Sequence, residues 1–526
     1  MSEGPVDAPM SERARRLAKV EALRAAGAEP YPVRFDRTHT AAEVVEHWHH
    51  LEAGSETDDT VRIAGSILLL RRQGKLTFAT VRDGSGALQL FVSRAELGED
   101  RHVAFDDLDL GDWVGVEGAV MKTRKGELSV KVREFTLLAK ALRPLPEKWH
   151  GLADVDTRFR QRYVDLIANH DARRVFAIRF EVIATIRRVL AERGFVEVET
   201  PVLHIQAGGA AARPFFTHHN ALELPLTLRI ALELHLKRLL VGGMERVFEI
   251  GRVFRNEGLS TRHNPEFTML ELYQAFADYT DIMALTEELV AECARAATGS
   301  TVVSVDGAEI DLAPPWPRTP MLELIREATG ADVHPTMAVA ELEAVCDAHE
   351  VPHEPGWGPG KLVLELYEKT VEPNLIGPVF VLDYPREVSP LARTHRDDPA
   401  LVERFEAVVL GRELANAFSE LNDPIDQQAR FEAQEQLAAG GDEEAHGVDH
   451  DYVRALEYGL PPCGGLGIGV DRLVMLVAGV SSIREVILFP HLRPETGEAG
   501  GTGFDVGSES VSESESASEP DGETGR

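Results

Sequence analysis

Residues 246–273, RVFEIGRVFRNEGLSTRHNPEFTMLELY, decide the fold of this chain because they read as two β-strands joined by a charged loop. Side chains on a strand alternate between its two faces. We therefore expect Arg255 and Glu257 to point the same way on the first strand. On the second strand one face should carry Phe267, Glu271 and Tyr273. If the strands pair, their common surface presents a cation, carboxylates and two aromatic rings.

This set of side chains predicts a site for ATP beside a site for an amine. A cation can hold a phosphate oxygen, an aromatic ring can stack on a base, and a carboxylate can bind an ammonium group. The loop adds two further polar groups, Arg262 and His263. The alternative is a solvated hairpin whose charges have no function, so the choice depends on motifs elsewhere in the chain.

The size and composition fit a protein of several globular domains. A chain of 526 residues, 44% of them hydrophobic, has room for about three or four domains at roughly 150 residues each. The net charge of -32, taken alone, argues against nucleic-acid binding, which depends on Lys and Arg meeting phosphates. The charge is unevenly spread, however. Residues 495–526 are rich in Gly, Ser and acids, whereas residues 11–27 are basic and have helical spacing.

The cysteines and the hydropathy pattern predict a cytoplasmic protein. Cys293, Cys346 and Cys463 stand far apart without a CxxC pair, which argues against a zinc site and favours free thiols in a reducing compartment. We find no run of about 18 apolar residues that could span a membrane. The N-terminal residues also lack the apolar core of a secretion signal.

Changes in pattern along the chain predict its domains. We expect an α+β protein with an N-terminal helical extension (1–55), a small β-barrel (56–146), a linker (147–171), a large domain (172–497) and a disordered acidic tail (498–526). Within the large domain, residues 281–373 read as an inserted helical region. A long helix is expected from Ala172 to Arg193, ended by Gly194. Its apolar face should contain Phe176, Phe180, Ile183, Ile186 and Leu190.

The five short strands expected between residues 61 and 138 suit an OB-fold, a small closed barrel that often binds oligonucleotides on one face. Phe78 and Gln89 fall on neighbouring strands, where a ring and an amide could stack on an unpaired base and read it. In the alternative interpretation, Phe78 and Phe91 belong to the barrel core. Arg71, Arg72 and Lys75 would contact phosphates or keep an edge soluble.

Three glutamates, Glu406, Glu413 and Glu420, recur at seven-residue intervals. This spacing keeps them on one face of a helix, but the composition and Gly411 favour a hairpin that brings Glu406 and Glu413 together. Clustered carboxylates repel one another unless a cation lies among them, and Mg²⁺ or a primary ammonium would serve. A solvated acidic face is the alternative.

The stretch CGGLGIGVDRLVMLVAG predicts a glycine-rich strand that runs into an apolar helix. Arg472 lies in the first turn of that helix, where backbone N–H groups favour anions such as a terminal phosphate. The alternative is tight helix–strand packing with an ordinary surface arginine. Neither GxxxxGK[ST] nor a GxGxxG that opens a βαβ unit occurs, so an antiparallel sheet would have to hold ATP.

Taken together, these motifs resemble the class II aminoacyl-tRNA synthetases. The helix ending in VETP looks like their first signature, FRNE with its loop and strand like the second, and GLGIGVDR like the third. Further stretches are similar to bacterial lysyl-tRNA synthetases, namely GGAAARPFFTHHNALEL, VSPLAR and NAFSELNDP. The resemblance covers residues 27–494 and implies a catalytic domain, built on an antiparallel β-sheet flanked by helices, after an OB-fold that binds the anticodon.

The resemblance implies roles for the residues around ATP. Arg255 would hold the α-phosphate, Arg472 the γ-phosphate, and both would act in catalysis, while Phe267 would stack on adenine. Other residues near the nucleotide would be Glu257, His263, Asn264 and Glu413. Glu406 and Glu413 would hold Mg²⁺.

It also implies the contacts of L-lysine and tRNA(Lys). Glu233 and the backbone of Gly209 would receive the α-amino group, and Phe78 and Gln89 would help to read a uridine-rich anticodon. The side-chain ammonium would be surrounded by Glu271, Tyr273, Asn416 and Glu420. A homodimer is implied by the resemblance alone.

Two positions depart from the pattern of similar enzymes, which usually have Pro before the glutamate that binds the α-amino group and Tyr two residues after it. This chain has Leu232 and His235 there. Because proline fixes φ, Leu232 could shift the backbone that presents Glu233. We expect altered lysine affinity at most.

The expected activity is lysine activation by ATP followed by transfer to tRNA. One rival is an aspartyl- or asparaginyl-type synthetase, whose side-chain pocket for aspartate would need an added cation where this chain has Glu271 and Glu420. A second rival lysylates a protein, but such relatives lack the N-terminal barrel. A third is a non-catalytic RNA-binding paralogue, against which Arg255, Arg472 and Glu406 argue.

Overall fold

The computed structural model describes residues 11–145, 152, 154–439 and 447–494. The predicted acidic tail at 498–526 lies outside these residues. The chain divides into two compact units. Unit 1 comprises Met1–Ala184 with Arg295–Gly299, and unit 2 comprises Thr185–Ala294 with Ser300–Arg526.

Unit 1 is built around a five-stranded barrel. The elements from its N-terminus are α1 (Glu12–Ala25), α2 (Ala41–Trp48), β1 (Glu56–Gln73), β2 (Leu76–Arg82), β3 (Ala87–Ser93), α3 (Arg94–Leu97), α4 (Glu99–Asp106), β4 (Trp113–Lys122), β5 (Leu128–Ala139), α5 (Val155–Arg160), α6 (Arg162–Ala168) and α7 (His170–Glu192), which continues into unit 2. The strands close in the order β1-β2-β3-β5-β4. This confirms the barrel expected for an OB-fold.

Alternation along the strands fills the barrel. Ala79 and Val81 of β2 are buried, as are Leu88, Leu90 and Val92 of β3. Their strand neighbours therefore lie on the outer face. An apolar interior of branched side chains forms the core.

The basic N-terminal helix is confirmed as α1, which Ser11 caps by accepting a hydrogen bond from the backbone N–H of Ala14. Arg16 is buried, and its guanidinium donates to the carbonyl oxygens of Leu110, Ala141 and Arg143. This cation therefore fastens the helix within unit 1.

Unit 2 contains the large sheet. Its elements are β6 (Val196–Glu197), β7 (Leu203–His204), β8 (Phe216–His219), β9 (Leu224–Leu228), α8 (Glu233–Val241), β10 (Arg246–Phe254), β11 (Glu266–Ala275), α9 (Tyr279–Thr298), β12 (Val302–Val305), β13 (Ala308–Asp311), β14 (Arg318–Pro320), α10 (Met321–Thr329), α11 (Val339–Ala348), α12 (Pro359–Thr370), β15 (Val379–Pro385), β16 (Leu401–Val408), β17 (Glu413–Ser419), α13 (Pro424–Ala439), α14 (His450–Glu457), β18 (Cys463–Gly469), α15 (Val470–Ala478) and α16 (Ile483–Val486). Eight strands pair in the order β14-β15-β16-β17-β18-β11-β10-β6. The pairs from β15 to β10 are antiparallel, whereas β14 and β6 pair parallel at the two edges.

The hairpin of residues 246–273 supplies two central strands of this sheet. Regular pairing of β10 with β11 runs from Arg246↔Gln274 to Phe254↔Glu266. The prediction that Arg255 and Glu257 belong to the first strand is wrong, because the ladder ends at Phe254. Pro265 has no backbone N–H to continue the pairing, although its carbonyl oxygen still accepts from the N–H of Arg255.

The long helix is confirmed, but its predicted apolar face is wrong at Phe180, which is 59% exposed. Phe176, Ile186 and Leu190 are buried as predicted, and Ile183 is half-buried. The buried face also includes Val175, Ile178, Val182 and Val189, so it is broader than predicted and leaves out Phe180.

The region at 281–373 contains the expected helices together with short strands that were not expected. β12 and β13 form a two-stranded sheet, and β14 joins the edge of the large sheet. Strands of three or four residues leave too short an alternation to be recognised in sequence. Across the described residues, no helix is both long and apolar enough to cross a membrane.

Candidate active site

One cavity of unit 2 brings together all of the predicted ATP-, lysine- and metal-binding residues. Its volume of about 360 Å³ falls within the usual range for small-molecule sites, roughly 300–1,000 Å³. The predicted residues that line it are Gly209, Glu233, Arg255, Glu257, His263, Asn264, Phe267, Glu271, Tyr273, Glu406, Glu413, Asn416, Glu420 and Arg472. Their convergence argues against a solvated hairpin with incidental charges.

The second strand of the hairpin presents its side chains to the cavity as predicted. Phe267, Met269, Glu271 and Tyr273 alternate along β11, and all four line the cavity. Both oxygens of the buried Glu271 carboxylate are held within the protein. Oε1 accepts from the backbone N–H of Leu232 at 2.9 Å, and Oε2 accepts from the hydroxyl of Tyr273 at 3.1 Å.

The glycines of β18 leave room for these side chains. Gly465 pairs with Tyr273, and Gly467 pairs with Glu271. A methyl group at position 465 would overlap Oε1 of Glu420 and come within 2.5 Å of the Tyr273 ring. The glycine-rich strand is therefore needed to seat the polar side chains of its neighbours.

Glu233 and Glu420 meet around a lysine that belongs to the chain itself. Glu233 is the first residue of α8, and Oε1 of its carboxylate lies 2.5 Å from Nζ of Lys237, one turn later. Lys237 also forms an ion pair with Oε2 of Glu420, and the side chains of Lys237 and Glu420 are fully buried. Gly209 approaches this group with φ +89°, and a side chain there would crowd Glu233.

The glutamates of the second hairpin lie on adjacent antiparallel strands, so a helix is excluded. Glu406 of β16 is paired with Arg404 at 2.5 Å, and Glu413 of β17 with Arg472 at 3.2 Å. Burial raises the pKa of Glu406 to about 7 against the opposing charge of Arg404. Arg472 is in the first turn of α15, as predicted, and donates a second hydrogen bond to the carbonyl oxygen of Glu413.

The loop after β10 brings cationic groups to an aromatic surface. The guanidinium of Arg255 lies over the ring of Phe267, 5.2 Å from its centroid. Burial, aided by the positive charge of Arg472, lowers the pKa of His263. Asn264 lines the cavity, and its side-chain amide donates to the carbonyl oxygen of Glu266 and accepts from the backbone N–H of His491, which ties the loop to the segment after α16.

Leu232 and His235, the two positions that depart from the pattern of similar enzymes, lie in different surroundings at the start of α8. Leu232 has φ -99° and uses its N–H, which a proline would lack, to hold Glu271. His235 packs its ring against His204 with centroids 4.7 Å apart. Burial is the main cause that lowers the pKa of both histidines, in His204 to about 4.

In the barrel, Phe78 and Gln89 lie half-buried on the outer face of β2 and β3. Phe78 is paired with Phe91, and their rings meet edge to face at 5.5 Å. The alternative that placed these two rings in the core is wrong, because the alternate residues fill it. Arg71 is the partner of Phe78 on β1, whereas Arg72 is held by the carbonyl oxygens of Asp106 and Leu108.

Comparison with known proteins agrees with this architecture. A family model described as tRNA synthetases class II (D, K and N) matches residues 154–493. The chain belongs to this family. A second model, for the OB-fold nucleic acid binding domain, matches residues 61–138.

Similar curated proteins cover nearly the same length. A lysine–tRNA ligase of Moorella thermoacetica is 56% identical over 91% of this chain and 97% of the relative. The corresponding enzyme of Carboxydothermus hydrogenoformans is 55% identical over the same shares of the two chains. That of Synechococcus sp. (strain CC9311) is 54% identical over 92% of this chain and 100% of the relative.

Sequence reasoning missed three charged residues of the site. Lys237 could have been found from its position four residues after Glu233, although such a pair usually marks a solvated helix face. Arg404 could have been found from its alternation with Glu406 on β16. Asp471 is buried, and its Oδ2 accepts a hydrogen bond of 2.7 Å from the backbone N–H of Thr268. This hydrogen bond ties α15 to β11.

The environment of Glu271 predicts a pH-dependent stability. Burial and the neighbouring Glu233 raise the pKa of Glu271 from 4.5 to about 7. Between these two pH values the folded protein holds a proton on Glu271 that the unfolded chain has lost. The resulting contribution to the free energy of unfolding is fully present below pH 4.5 and is lost as the pH rises through about 7.

We expect the free energy of unfolding of the wild type, relative to Glu271→Gln, to fall by about 3 kcal/mol across this pH window. Urea denaturation at both ends of the window measures the change. Glu327→Gln, at an exposed position of α10, is the matched control. A constant difference between wild type and Glu271→Gln would contradict the raised pKa.

Proposed function

We propose that this chain is a lysine–tRNA ligase. It activates L-lysine with ATP to form lysyl-adenylate and pyrophosphate, and then transfers the lysyl group to the 3′ end of tRNA(Lys). The observation that carries this proposal is the gathering of Glu233, Glu271 and Glu420 at one cavity. Buried acids in such number require cationic partners, and lysine brings two ammonium groups.

The acidic residues of the cavity also favour lysine over aspartate as the substrate. A site for aspartate needs a cation facing the side-chain carboxylate. The arginines that line this cavity come instead from the loop after β10, from β16 and from α15, namely Arg255, Arg262, Arg404 and Arg472. The curated relatives, named as lysine–tRNA ligases, support the same choice.

The α-amino group of lysine is assigned to Glu233 and the backbone of Gly209. The side-chain ammonium is assigned to Glu420, with Tyr273, Asn416 and Glu271 around it. The support for this orientation is that Oε1 of the buried Glu420 has no hydrogen-bond partner among the described residues and lies beside the cavity-lining Gly465.

ATP is assigned to the arginine-rich part of the cavity. Arg255 holds the α-phosphate, Arg472 holds the γ-phosphate, and Phe267 stacks on adenine. Glu257, His263 and Asn264 lie near the nucleotide. A guanidinium at the N-terminus of α15 supports the γ-phosphate assignment, since the helix dipole and N–H groups favour anions there.

The chemistry needs positioning and charge neutralisation rather than a protein nucleophile. The lysine carboxylate attacks the α-phosphate in line, and pyrophosphate leaves. Arg255 and Arg472 offset the charge that accumulates between two anions. The terminal ribose hydroxyl of tRNA then attacks the adenylate carbonyl, and AMP leaves.

Glu406 and Glu413 are the proposed Mg²⁺ ligands. Hard carboxylate oxygens on adjacent strands fit a cation that usually combines one or two carboxylates with nucleotide phosphates. No group of three His, Cys, Asp or Glu able to hold a metal is found among the described residues. Phosphate oxygens of ATP would share the coordination with the two carboxylates. When bound, the ion neutralises phosphate charge.

The remaining assignments concern the whole molecule. Residues 56–146 form the anticodon-binding domain and residues 172–497 the catalytic domain, with 281–373 inserted. A homodimer in the cytoplasm is proposed, and three strongly exposed apolar residues, Ile205, Phe216 and Leu222, support a subunit interface on unit 2. A single-chain mass in sedimentation equilibrium would contradict the dimer.

ATP–pyrophosphate exchange with each of the twenty amino acids tests the proposed activity. We expect exchange with lysine and not with aspartate or asparagine. Glu420→Gln should raise the KM for lysine by at least about 100-fold, because the substrate ammonium loses a buried charged partner, while the KM for ATP changes little.

Glu327→Gln serves again as the control and should behave like the wild type. Exchange with aspartate, or absence of any aminoacyl-adenylate, would refute the proposed function. A normal lysine KM in Glu420→Gln would refute only the assignment of Glu420.

A second experiment addresses the barrel. Phe78→Ala should raise the KM for tRNA(Lys) in aminoacylation by about ten- to a hundredfold, the loss expected from one stacked base. Lysine-dependent exchange without tRNA should be unchanged. Val103→Ala, at an exposed apolar position on α4, is the control, and equal charging by Phe78→Ala and wild type would exclude Phe78 from the anticodon contact.

A further inference from the structure

Lys237 is a buried cation directly behind the carboxylates of the proposed lysine pocket. It contacts Glu233 at 2.5 Å and forms an ion pair with Glu420. Among the described residues, those that line the cavity include Glu233 and Glu420 but not Lys237, whose side chain has 0% exposure. Lys237 therefore acts on two cavity-lining carboxylates without reaching the cavity itself.

The surroundings of Lys237 make its charge important. Its Nζ lies 5.8 Å from the ring centroid of Tyr273 and 5.3 Å from that of Phe418. The titratable groups that face Lys237 and Glu420 come from four elements and comprise Glu233 of α8, Glu271 and Tyr273 of β11, Tyr452 of α14 and Cys463 of β18. In such an enclosed place, an ion without a partner is strongly destabilising.

The charges of this cluster match those of the substrate. Glu233, Glu271 and Glu420 are three acids, and Lys237 offsets the charge of one of them. Once Glu271 has released its proton, two negative charges remain for an amino acid with two ammonium groups. An amino acid whose only ammonium group is the α-amino group would leave one of these two negative charges without a partner.

The contacts also orient Glu420. Its Oε2 is turned toward Lys237, whereas Oε1 lies beside the backbone of Gly465, which lines the cavity. One oxygen is thus fixed from behind while the other is presented to the ligand.

We propose that Lys237 is the internal counter-ion that sets the charge and orientation of Glu420, and thereby makes the pocket specific for an amino acid with two ammonium groups. Lys237 is a positioning residue, since it acts through Glu420 and Glu233. The inference rests on the proposed lysine-activating function of the same cavity.

The causes of the pKa shifts of Lys237 and Glu420 support this role. Burial lowers the pKa of Lys237, but the charges of Glu233 and Glu420 outweigh burial and raise it well above its usual value. Burial also raises the pKa of Glu420, while Lys237 opposes that rise. Without Lys237 the opposition is lost, and Glu420 takes up a proton at higher pH.

The test measures lysine-dependent exchange by Lys237→Met as a function of pH, because Lys237 opposes the rise in the pKa of Glu420. We expect the KM for lysine at neutral pH to rise by about 100-fold and to fall toward the wild-type value as the pH increases. The KM for ATP should stay within about twofold. Lys361→Met, which removes a partly exposed lysine that pairs with Glu365 on α12, is the matched control and should leave both constants unchanged.

Two further variants keep the proposal testable if Lys237→Met does not fold. Lys237→Gln retains a hydrogen-bond donor without the charge and should show the same pH-dependent loss. In the double variant Lys237→Met/Glu420→Gln, removal of Lys237 should add little to the loss caused by Glu420→Gln, because the two residues act as one unit.

The outcomes separate the two proposals. If the wild type shows no lysine-dependent exchange, the proposed function itself fails. If the wild type is active but the lysine KM of both Lys237→Met and Lys237→Gln is unchanged or independent of pH, only the role of Lys237 is refuted. An equal rise in the KM for lysine and for ATP would show a structural role and would also refute it.

Discussion

The gathering of three buried carboxylates around one cavity is the constraint on which the site depends. The partners of these acids come from α8 and β11. Glu271 accepts hydrogen bonds from the start of α8 and from its own strand, whereas Glu233 and Glu420 share the cation of Lys237. Because these partners come from elements distant in sequence, the cavity exists only when β11, β17 and β18 are paired in register.

The sequence was informative where a regular pattern carried the chemistry. Alternation placed Phe267, Glu271 and Tyr273 on one face, and helix-start reasoning placed Arg472 correctly. Prediction failed where the structure depended on one residue rather than on a repeated pattern. Pro265 ended the hairpin before Arg255, and Phe180 turned out exposed because its apolar character did not reveal which side of the helix packs.

The charged residues behind the pocket were missed for a related reason. A glutamate and a lysine four residues apart occur on many solvated helices, and nothing local shows that Lys237 is enclosed. One of its ion-pair partners, Glu420, is almost two hundred positions away in the chain. The fold class, the barrel and the lining of the cavity were therefore predicted from the sequence, whereas the ionic partners behind that lining carried only a weak local signal and were missed.

The burial of Glu271 has a consequence for the heat of ligand binding. Burial and the nearby Glu233 raise the pKa of Glu271 to about 7, although the hydrogen bonds from Leu232 and Tyr273 oppose the rise, so the carboxyl remains partly protonated near neutrality. A diamine that enters the cavity favours the ionised form, so association expels a fraction of a proton into the medium. The enthalpy seen by calorimetry then includes the ionisation heat of the buffer, and its slope against that heat counts the protons released.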